Sequence, residues 1–316
     1  MTDTVPSTSE LRHATANDYI QLMKPRIMGL VVFTGVAGLA AAPGAMNPVM
    51  AVVAVLAIAL GSGAAGALNM WYDSDIDAVM SRTSSRPIPS GAVPREEALA
   101  LGLIISGISV LMMWLASNTL AAGLLALSIV YYAWFYTIFL KRRTHQNIVI
   151  GGAAGAFPPV IGWAAVTGTT PLDPWILFAI IFFWTPPHFW ALSLLAHKEY
   201  ARVGVPMLPV THGARSTRRQ IFAYTFVLAP VALAPVVTGL AGWLYAVVAA
   251  GFSTVFIWRA YEVLRSQAGE ADAVAEDHQA AKKLFVFSIF YLFAVFGALL
   301  IEYGTGARFP VIVGHG

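Results

Sequence analysis

The sequence predicts an all-α integral membrane protein built from nine transmembrane helices, and three observations support this. Of 316 residues, 58% are hydrophobic and 11% charged, with a mean hydropathy of +0.70, whereas soluble domains carry roughly 25% charged residues. Nine apolar segments approach the roughly 20 residues that cross a bilayer: 26–43, 48–69, 97–116, 119–140, 146–166, 174–195, 220–240, 242–262 and 284–303. None has the alternation of a membrane strand. The connections between them alternate in charge. Those at 44–47, 117–118, 167–173 and 241 contain no Lys or Arg, and the others, with the N-terminal segment and the adjoining span ends, hold all but Arg308 of the 19 basic residues.

That asymmetry orients the chain. By the positive-inside rule the N-terminus is cytoplasmic and, after an odd number of spans, the C-terminus lies outside. The expected division is a polar segment over 1–25, a membrane domain over 26–305 and a short extracytoplasmic tail over 306–316. The first 25 residues contain Asp3, Glu10 and Asp18 and no apolar core, unlike a secretory signal or an Arg-rich transit peptide. The absence of cysteine excludes disulfides, thiolate metal sites and a cysteine nucleophile. Glycines in GSGAAGALN (Gly61, Gly63, Gly66) and GGAAGAFPP (Gly151, Gly152, Gly155) suit close helix packing.

The chemistry concentrates in NMWYDSDIDAVMSRTSSRP, Asn69 to Pro87, at the basic end of the second span. If the helix continues through it, Asn69, Asp73 and Asp77 recur every four residues and form one stripe, with Asp75 on another face. Carboxylates stacked this closely repel unless a cation sits between them. Oxygen ligands without cysteine favour a hard ion, Mg²⁺ or Ca²⁺. Magnesium commonly uses one or two carboxylates plus substrate phosphates, and Arg82 and Arg86 carry guanidinium forks that fit phosphate. The motif therefore reads as a phosphate or diphosphate site; its plainer reading is a solvated helix end. After span six, HKEYARVGVPMLPVTHG places Glu199 as a counterpart to Asp73, with Lys198 and Arg202 beside it. Those residues suit either a second Mg²⁺ site or an ordinary juxtamembrane charge pair. In WTPPHFW, the pair Pro186–Pro187 should break span six just before His188, and an intramembrane histidine is a functional candidate.

NMWYDSDIDAVMSRTSSRP resembles the first aspartate-rich motif of the UbiA superfamily of intramembrane prenyltransferases. LKRRTHQNIVIGGAAGAFPPVIGW (140–163), WTPPHFWALSLLAHKEY (184–200), GVPMLPVTHG (204–213), KPR (24–26) and KKLFVFSI (282–289) extend the likeness over nearly the whole chain, and narrow it to the superfamily's haem-farnesylating branch. Glu199 stands where that family often has Asp, and Ser74 where a basic residue is common.

The resemblance implies a nine-helix bundle with a central cavity open to the cytoplasmic side. It implies transfer of a farnesyl group from farnesyl diphosphate to a vinyl group of haem b, with addition of water, in the cell's inner membrane. It implies Mg²⁺ as cofactor, held by Asp73, Asp77 and Glu199, with Asn69 in the first motif and Arg82, Arg86, Lys141, Arg142 and Lys198 on the diphosphate. His188 is the haem-binding candidate, as an axial ligand or through the macrocycle, against the alternative that it bonds carbonyls freed by the prolines. Arg142 or Arg218 could meet the haem propionates, and Trp71, Tyr72, Tyr132, Tyr136, Trp184 and Phe189 are candidates to face an allylic cation. Contact with a terminal oxidase assembly or haem A synthase is expected, and none with nucleic acid. Two alternatives stand beside this reading: a prenyltransferase acting on an aromatic quinone precursor, and an ion-coupled transporter, whose charges would lie nearer the bilayer midplane.

Overall fold

The computed structural model of the chain describes residues 14–306, so Arg12, Arg308 and nearly all of the expected tail lie outside the described residues. Every regular element among them is helical. A short helix α1 (Ala16–Leu22) meets α2 (Pro25–Ala41) at a 55° bend, and the pair makes the first span. There follow α3 (Pro48–Tyr72), the short α4 (Ser74–Val79), α5 (Arg95–Ala116) and α6 (Thr119–Val130). A π-helix (Tyr131–Leu140) prolongs α6 to span length. The fifth span comprises three pieces, α7 (Asn147–Gly151), α8 (Ala153–Ala156) and α9 (Pro158–Thr167). The sixth is α10 (Leu172–Leu195), followed by two short helices in the next connection, α11 (His197–Arg202) and α12 (Leu208–Thr211). The last three spans are α13 (Gly213–Val237), α14 (Trp243–Arg265) and α15 (Ala275–Thr305).

Eight of the described helical stretches are long and apolar enough to cross a membrane, and the bent pair α1–α2 supplies the ninth. The chain is a multi-pass membrane protein of all-α class. Its helices run further at the basic end than hydropathy predicts: α13 begins at residue 213 instead of 220, and α15 at 275 instead of 284. Hydropathy stops where charge begins, but backbone hydrogen bonding does not.

Two apolar cores hold the bundle. One gathers α10, α13, α14 and α15 around Leu177, Trp190, Tyr245, Phe256 and Tyr291. The other joins α3, α5, α6 and α9 around Ile58, Met113, Leu125 and Ile161. Between them α2 crosses α9 almost backbone to backbone. A Cβ added at Gly162 would lie 2.2 Å from the Gly35 carbonyl oxygen, and one at Gly38 would lie 2.1 Å from that of Pro159. Small residues bring membrane helices into dispersion contact, since lipid offers no hydrophobic drive between them. Gly61 and Gly151 likewise face neighbouring side chains, whereas Gly155 faces open space.

Pro186 and Pro187 do not break the sixth span, because α10 runs through both. Two prolines delete two rungs of the hydrogen-bond ladder. Packing on both sides holds the rest, with 61% of this span buried against 22% for α5. At the end remote from the basic face, the fully buried Glu302 of α15 caps α14 across the interface. Its two oxygens accept hydrogen bonds from the backbone N–H groups of Gly242 (2.7 Å) and Tyr245 (2.9 Å).

Candidate active site

Although α3 formally ends at Tyr72, the turn after it keeps helical register. Asp73 N donates to the Asn69 carbonyl at 2.9 Å and Asp77 N to the Asp73 carbonyl at 2.8 Å. The four-residue stripe therefore survives, and Asn69, Asp73 and Asp77 are all buried. A buried carboxylate is tolerated only when paired, and the partners arrive from three other segments. Lys141 Nζ donates to Asp73 Oδ2 at 2.5 Å, and Arg142 Nη2 lies 3.5 Å from Asp73 Oδ1. Arg86 Nη1 donates to Asp77 Oδ2 at 2.6 Å. Asn69 bridges the set: its Nδ2 donates to Asp73 Oδ2 (2.8 Å) and Thr137 Oγ1 (3.0 Å), and its Oδ1 accepts from Lys24 Nζ at 2.5 Å.

Asp75 points elsewhere, as the stripe requires. It is 61% exposed and takes both arms of the Arg142 fork, at 2.6 and 2.7 Å. That guanidinium holds the Asp75 carboxyl below the usual carboxylate range. Arg142 also lies 4.8 Å over the Tyr72 ring, so Asp75 and Tyr72 fix the arginine that reaches Asp73.

Local structure explains how the cations arrive. The π-helix closes with Lys141 N donating to the carbonyl of Tyr136, five residues back, at 2.8 Å. Such widened turns recur at functional sites because they rotate the side chains that follow. Here Thr137 faces Asn69 and Lys141 faces Asp73. The fully buried Asn147 secures the next turn, its Nδ2 donating to the carbonyls of Thr144 (2.8 Å) and Lys141 (3.3 Å). Tyr132 and Tyr136, from the same π-helix, stack with centroids 5.3 Å apart.

Lys24 was given no role by sequence reasoning. It sits at the α1–α2 corner in the left-handed region, φ +55°, which a side-chain-bearing residue adopts only at a cost. The corner packs on α3 where glycines leave room: a Cβ at Gly63 would meet Met23 Cε at 2.6 Å, and one at Gly66 would meet Lys24 Cδ at 3.5 Å. The KPR stretch and the glycines were both visible in the sequence, but their meeting was not.

The second motif docks on the first, but through residues other than the acid stripe. Glu199 accepts a short hydrogen bond from Ser81, and Arg202 donates to the Val79 carbonyl, so α11 is latched onto the loop after α4. Tyr200 packs there with Ile76, Met80, Ile148 and Met207. Arg82 points to Tyr200 Oη (3.4 Å) and, with Lys198 and Glu199, faces a cavity of about 410 Å³. The five phosphate-binding candidates thus divide, with Arg86, Lys141 and Arg142 on the acid stripe and Arg82 and Lys198 on this cavity. Arg218 donates to the Ala268 carbonyl (2.9 Å) and pairs with Glu270 (3.0 Å). His188 bonds Ser288 Oγ through Nδ1 at 2.6 Å, and so does not serve the carbonyls freed by the prolines. Trp184 and Phe285 stack on the His188 ring and Phe189 stands edge-on to it; Trp71 lies under Arg95.

The stripe suits a hard divalent ion. Among the described residues no three His, Cys, Asp or Glu side chains converge on one point. The stripe offers two carboxylates and an amide oxygen, a set that Mg²⁺ completes with substrate phosphates. Around Asp73, Asp75 and Asp77 stand four basic side chains, Lys24, Arg86, Lys141 and Arg142, each already donating to the cluster. Such a set of donors suits an anion.

A helical membrane bundle with an acid stripe ringed by cations at one end defines an intramembrane enzyme of prenyl diphosphates: residues 30–289 match the UbiA prenyltransferase family, and the chain belongs to it. It is 69% identical over 315 residues to a protein from Hyphomonas neptunium named protoheme IX farnesyltransferase, covering 98% of this chain and 99% of that one. A protein of the same name from Caulobacter vibrioides is 54% identical, covering 97% and 96%. Among solved structures, a digeranylgeranylglyceryl phosphate synthase superposes with a TM-score of 0.73 at 16% identity, over 91% of this chain and 98% of that one. A UbiA homologue from Archaeoglobus fulgidus bound to DMAPP and Mg²⁺ superposes with a TM-score of 0.68 at 13% identity, over 89% and 99%.

Proposed function

We propose that this chain transfers the farnesyl group of farnesyl diphosphate to a vinyl group of haem b, with addition of water, giving haem o and diphosphate. The observation that carries the reading is the paired acid stripe, Asp73 and Asp77, inside a ring of four basic side chains, on a chain so similar along its length to proteins named for this reaction. The basic end of the bundle faces the cytoplasm. Haem b enters as substrate, and the product passes to a terminal oxidase assembly or to haem A synthase.

Asp73 and Asp77, with Asn69 beside them, would hold Mg²⁺ on the first motif, and Glu199 would supply the carboxylate of the second. The metal, when bound, neutralises negative charge on the departing diphosphate. The protein's own part follows from its charges. Lys141, Arg142 and Arg86 each saturate a carboxylate in the resting structure, and an arriving diphosphate competes for these same donors. As the C–O bond breaks, negative charge grows on the leaving oxygens, and fixed cations stabilise it more than they stabilise the ground state. The allylic fragment must be kept from water until the vinyl carbon attacks. The stacked rings of Tyr132 and Tyr136, five residues and one residue before Thr137, offer π faces beside the stripe.

The acceptor is tested with purified protein, Mg²⁺, farnesyl diphosphate and haem b, reading products by mass spectrometry. Haem o is expected. Prenylation of 4-hydroxybenzoate with no change to haem would replace this reading by the quinone-precursor one.

A further inference from the structure

Two stripes of side chains on neighbouring helices meet at the basic end of the bundle. On α13, Arg215, Arg219, Phe222 and Phe226 follow one another at helical spacing, which places them within about 60° of one another around the axis. On α14, which runs the other way, Trp258, Tyr261 and Arg265 share a face as narrowly. The rings of Phe222 and Tyr261 approach with centroids 6.1 Å apart, and that contact sets the stripes side by side. Phe226 stands edge-on to Phe222 at 4.9 Å, and Trp258 tilts against Tyr261 at 6.2 Å. Both stripes therefore read in the same order: arginine at the helix end, the Phe222–Tyr261 contact about one turn deeper, then a ring that opens outwards. Phe226 is 53% exposed and Trp258 60%.

The arginines that head the stripes have no carboxylate to meet. Arg215 and Arg219 are exposed and make no ion pair among the described residues. Arg265 leans on its own stripe, with Nη1 donating to Tyr261 Oη at 3.2 Å and the guanidinium carbon 5.9 Å from that ring's centroid. Helix α13 contains no Asp or Glu, and Glu262, the one acid of α14, pairs with Arg259 at 2.8 Å. In the connection beyond α14, Glu270 pairs with Arg218 at 3.0 Å, and Asp277 accepts from the backbone N–H of Gln267 at 2.6 Å. At the acid stripe the reverse holds, since Arg86, Lys141 and Arg142 are each answered by a carboxylate. The positive-inside rule explains why basic residues gather at this end. It does not explain their alignment over a continuous ladder of rings.

We propose that this two-helix face binds an anionic phospholipid: Arg215, Arg219 and Arg265 take the headgroup phosphate, and the acyl chains lie along Phe226 and Trp258. Guanidinium forks fit phosphate oxygens, and aromatic rings settle at headgroup level. Basic pockets between membrane helices are a recurring way of retaining acidic lipids. The charges also select among lipids. A zwitterionic headgroup brings an ammonium group, which would meet three guanidinium groups and no free carboxylate, whereas a glycerol headgroup brings no such cost. A soluble phosphate would satisfy the arginines but leave the rings uncovered, so the occupant is a lipid. The inference is independent of the acceptor assigned above.

The test is native mass spectrometry of the purified full-length protein, titrated with phosphatidylglycerol, phosphatidylethanolamine or phosphatidylcholine of matched acyl chains. The wild type should retain phosphatidylglycerol about tenfold or more over either zwitterionic lipid. Arg215→Gln combined with Arg219→Gln and Arg265→Gln should remove that preference. Arg143→Gln combined with Lys282→Gln and Lys283→Gln takes the same charge from other exposed positions and should keep it. Equal retention of the three lipids by the wild type overturns the proposal, as does a preference that survives in the arginine variant. An equal loss in both variants reduces the effect to overall charge and overturns the site. Displacement of phosphatidylglycerol by glycerol phosphate overturns the choice of a lipid. Phosphatidylglycerol with brominated acyl chains, which quench nearby indoles, places the chains: Trp258→Phe should remove more of the quenching than Trp114→Phe, whose indole is 53% exposed on another helix. Equal losses would overturn that placement.

Discussion

Lys24→Met isolates the least expected member of the site, because it removes the ammonium and keeps a stem of similar length against Gly66. What is lost is a charge-assisted hydrogen bond of 2.5 Å to Asn69 Oδ1, worth about 1.5–3 kcal/mol. Asn69 then has nothing to hold its amide in the orientation that serves Asp73 and Thr137. The ring also falls from four basic side chains to three. If this energy is expressed fully in the transition state, kcat/KM for farnesyl diphosphate falls by roughly 10- to 150-fold, while KM for haem stays unchanged. Steady-state rates of haem o formation, with each substrate varied in turn, measure this. Lys24→Gly supplies the control for a purely structural role: glycine relieves the left-handed strain at φ +55°, so thermal stability should hold or rise while activity still falls. Activity of Lys24→Met within twofold of wild type, or a Lys24→Gly enzyme of full activity, would refute the reasoning.

Asp73→Asn and Asp77→Asn should each lower turnover by about 10³-fold or more, some 4 kcal/mol of transition-state stabilisation, with membrane insertion intact. Asp75→Asn should cost only about three- to tenfold, because Arg142 loses one anchor but keeps Asp73 and Tyr72. The Asp75 carboxyl is held below its ordinary range by Arg142, so its pairing is complete above the unfolded value near 4 and disappears only as pH falls through the lower folded value; a rate profile from pH 5 to 9 should be the same shape in wild type and Asp75→Asn. Glu302→Gln keeps one acceptor for the two N–H groups of Gly242 and Tyr245. It should lower thermal stability by about 1–3 kcal/mol without changing KM for either substrate, and an unaltered melting temperature would contradict the capping role.

What could be read from the sequence was whatever the helix period carries. Asn69, Asp73 and Asp77 recur every four residues, and an α-helix turns such a repeat into one face even where α3 formally stops, because the hydrogen bonds of the turn persist. The same rule set Asp75 aside, and the structure places it on Arg142 instead of the stripe. Periodicity gave no help with Arg82 and Arg86, which are also four apart, since they lie in turns and face different sites. Nor could it find Lys24, whose reach to Asn69 depends on a left-handed corner at a residue that is not glycine and on two glycines about forty positions away. The prolines misled for a related reason. A Pro–Pro pair interrupts an isolated helix, but in α10 the neighbours on both sides are packed, and Thr185 adds a side-chain bond to the Ile181 carbonyl at 2.8 Å. In each failure a contact between distant segments outweighed a local preference. The contacts concerned gather at the two places where the chain must hold charge or a polar ring inside a membrane, and there the cost of an unpaired group exceeds the cost of a strained corner or a missing rung.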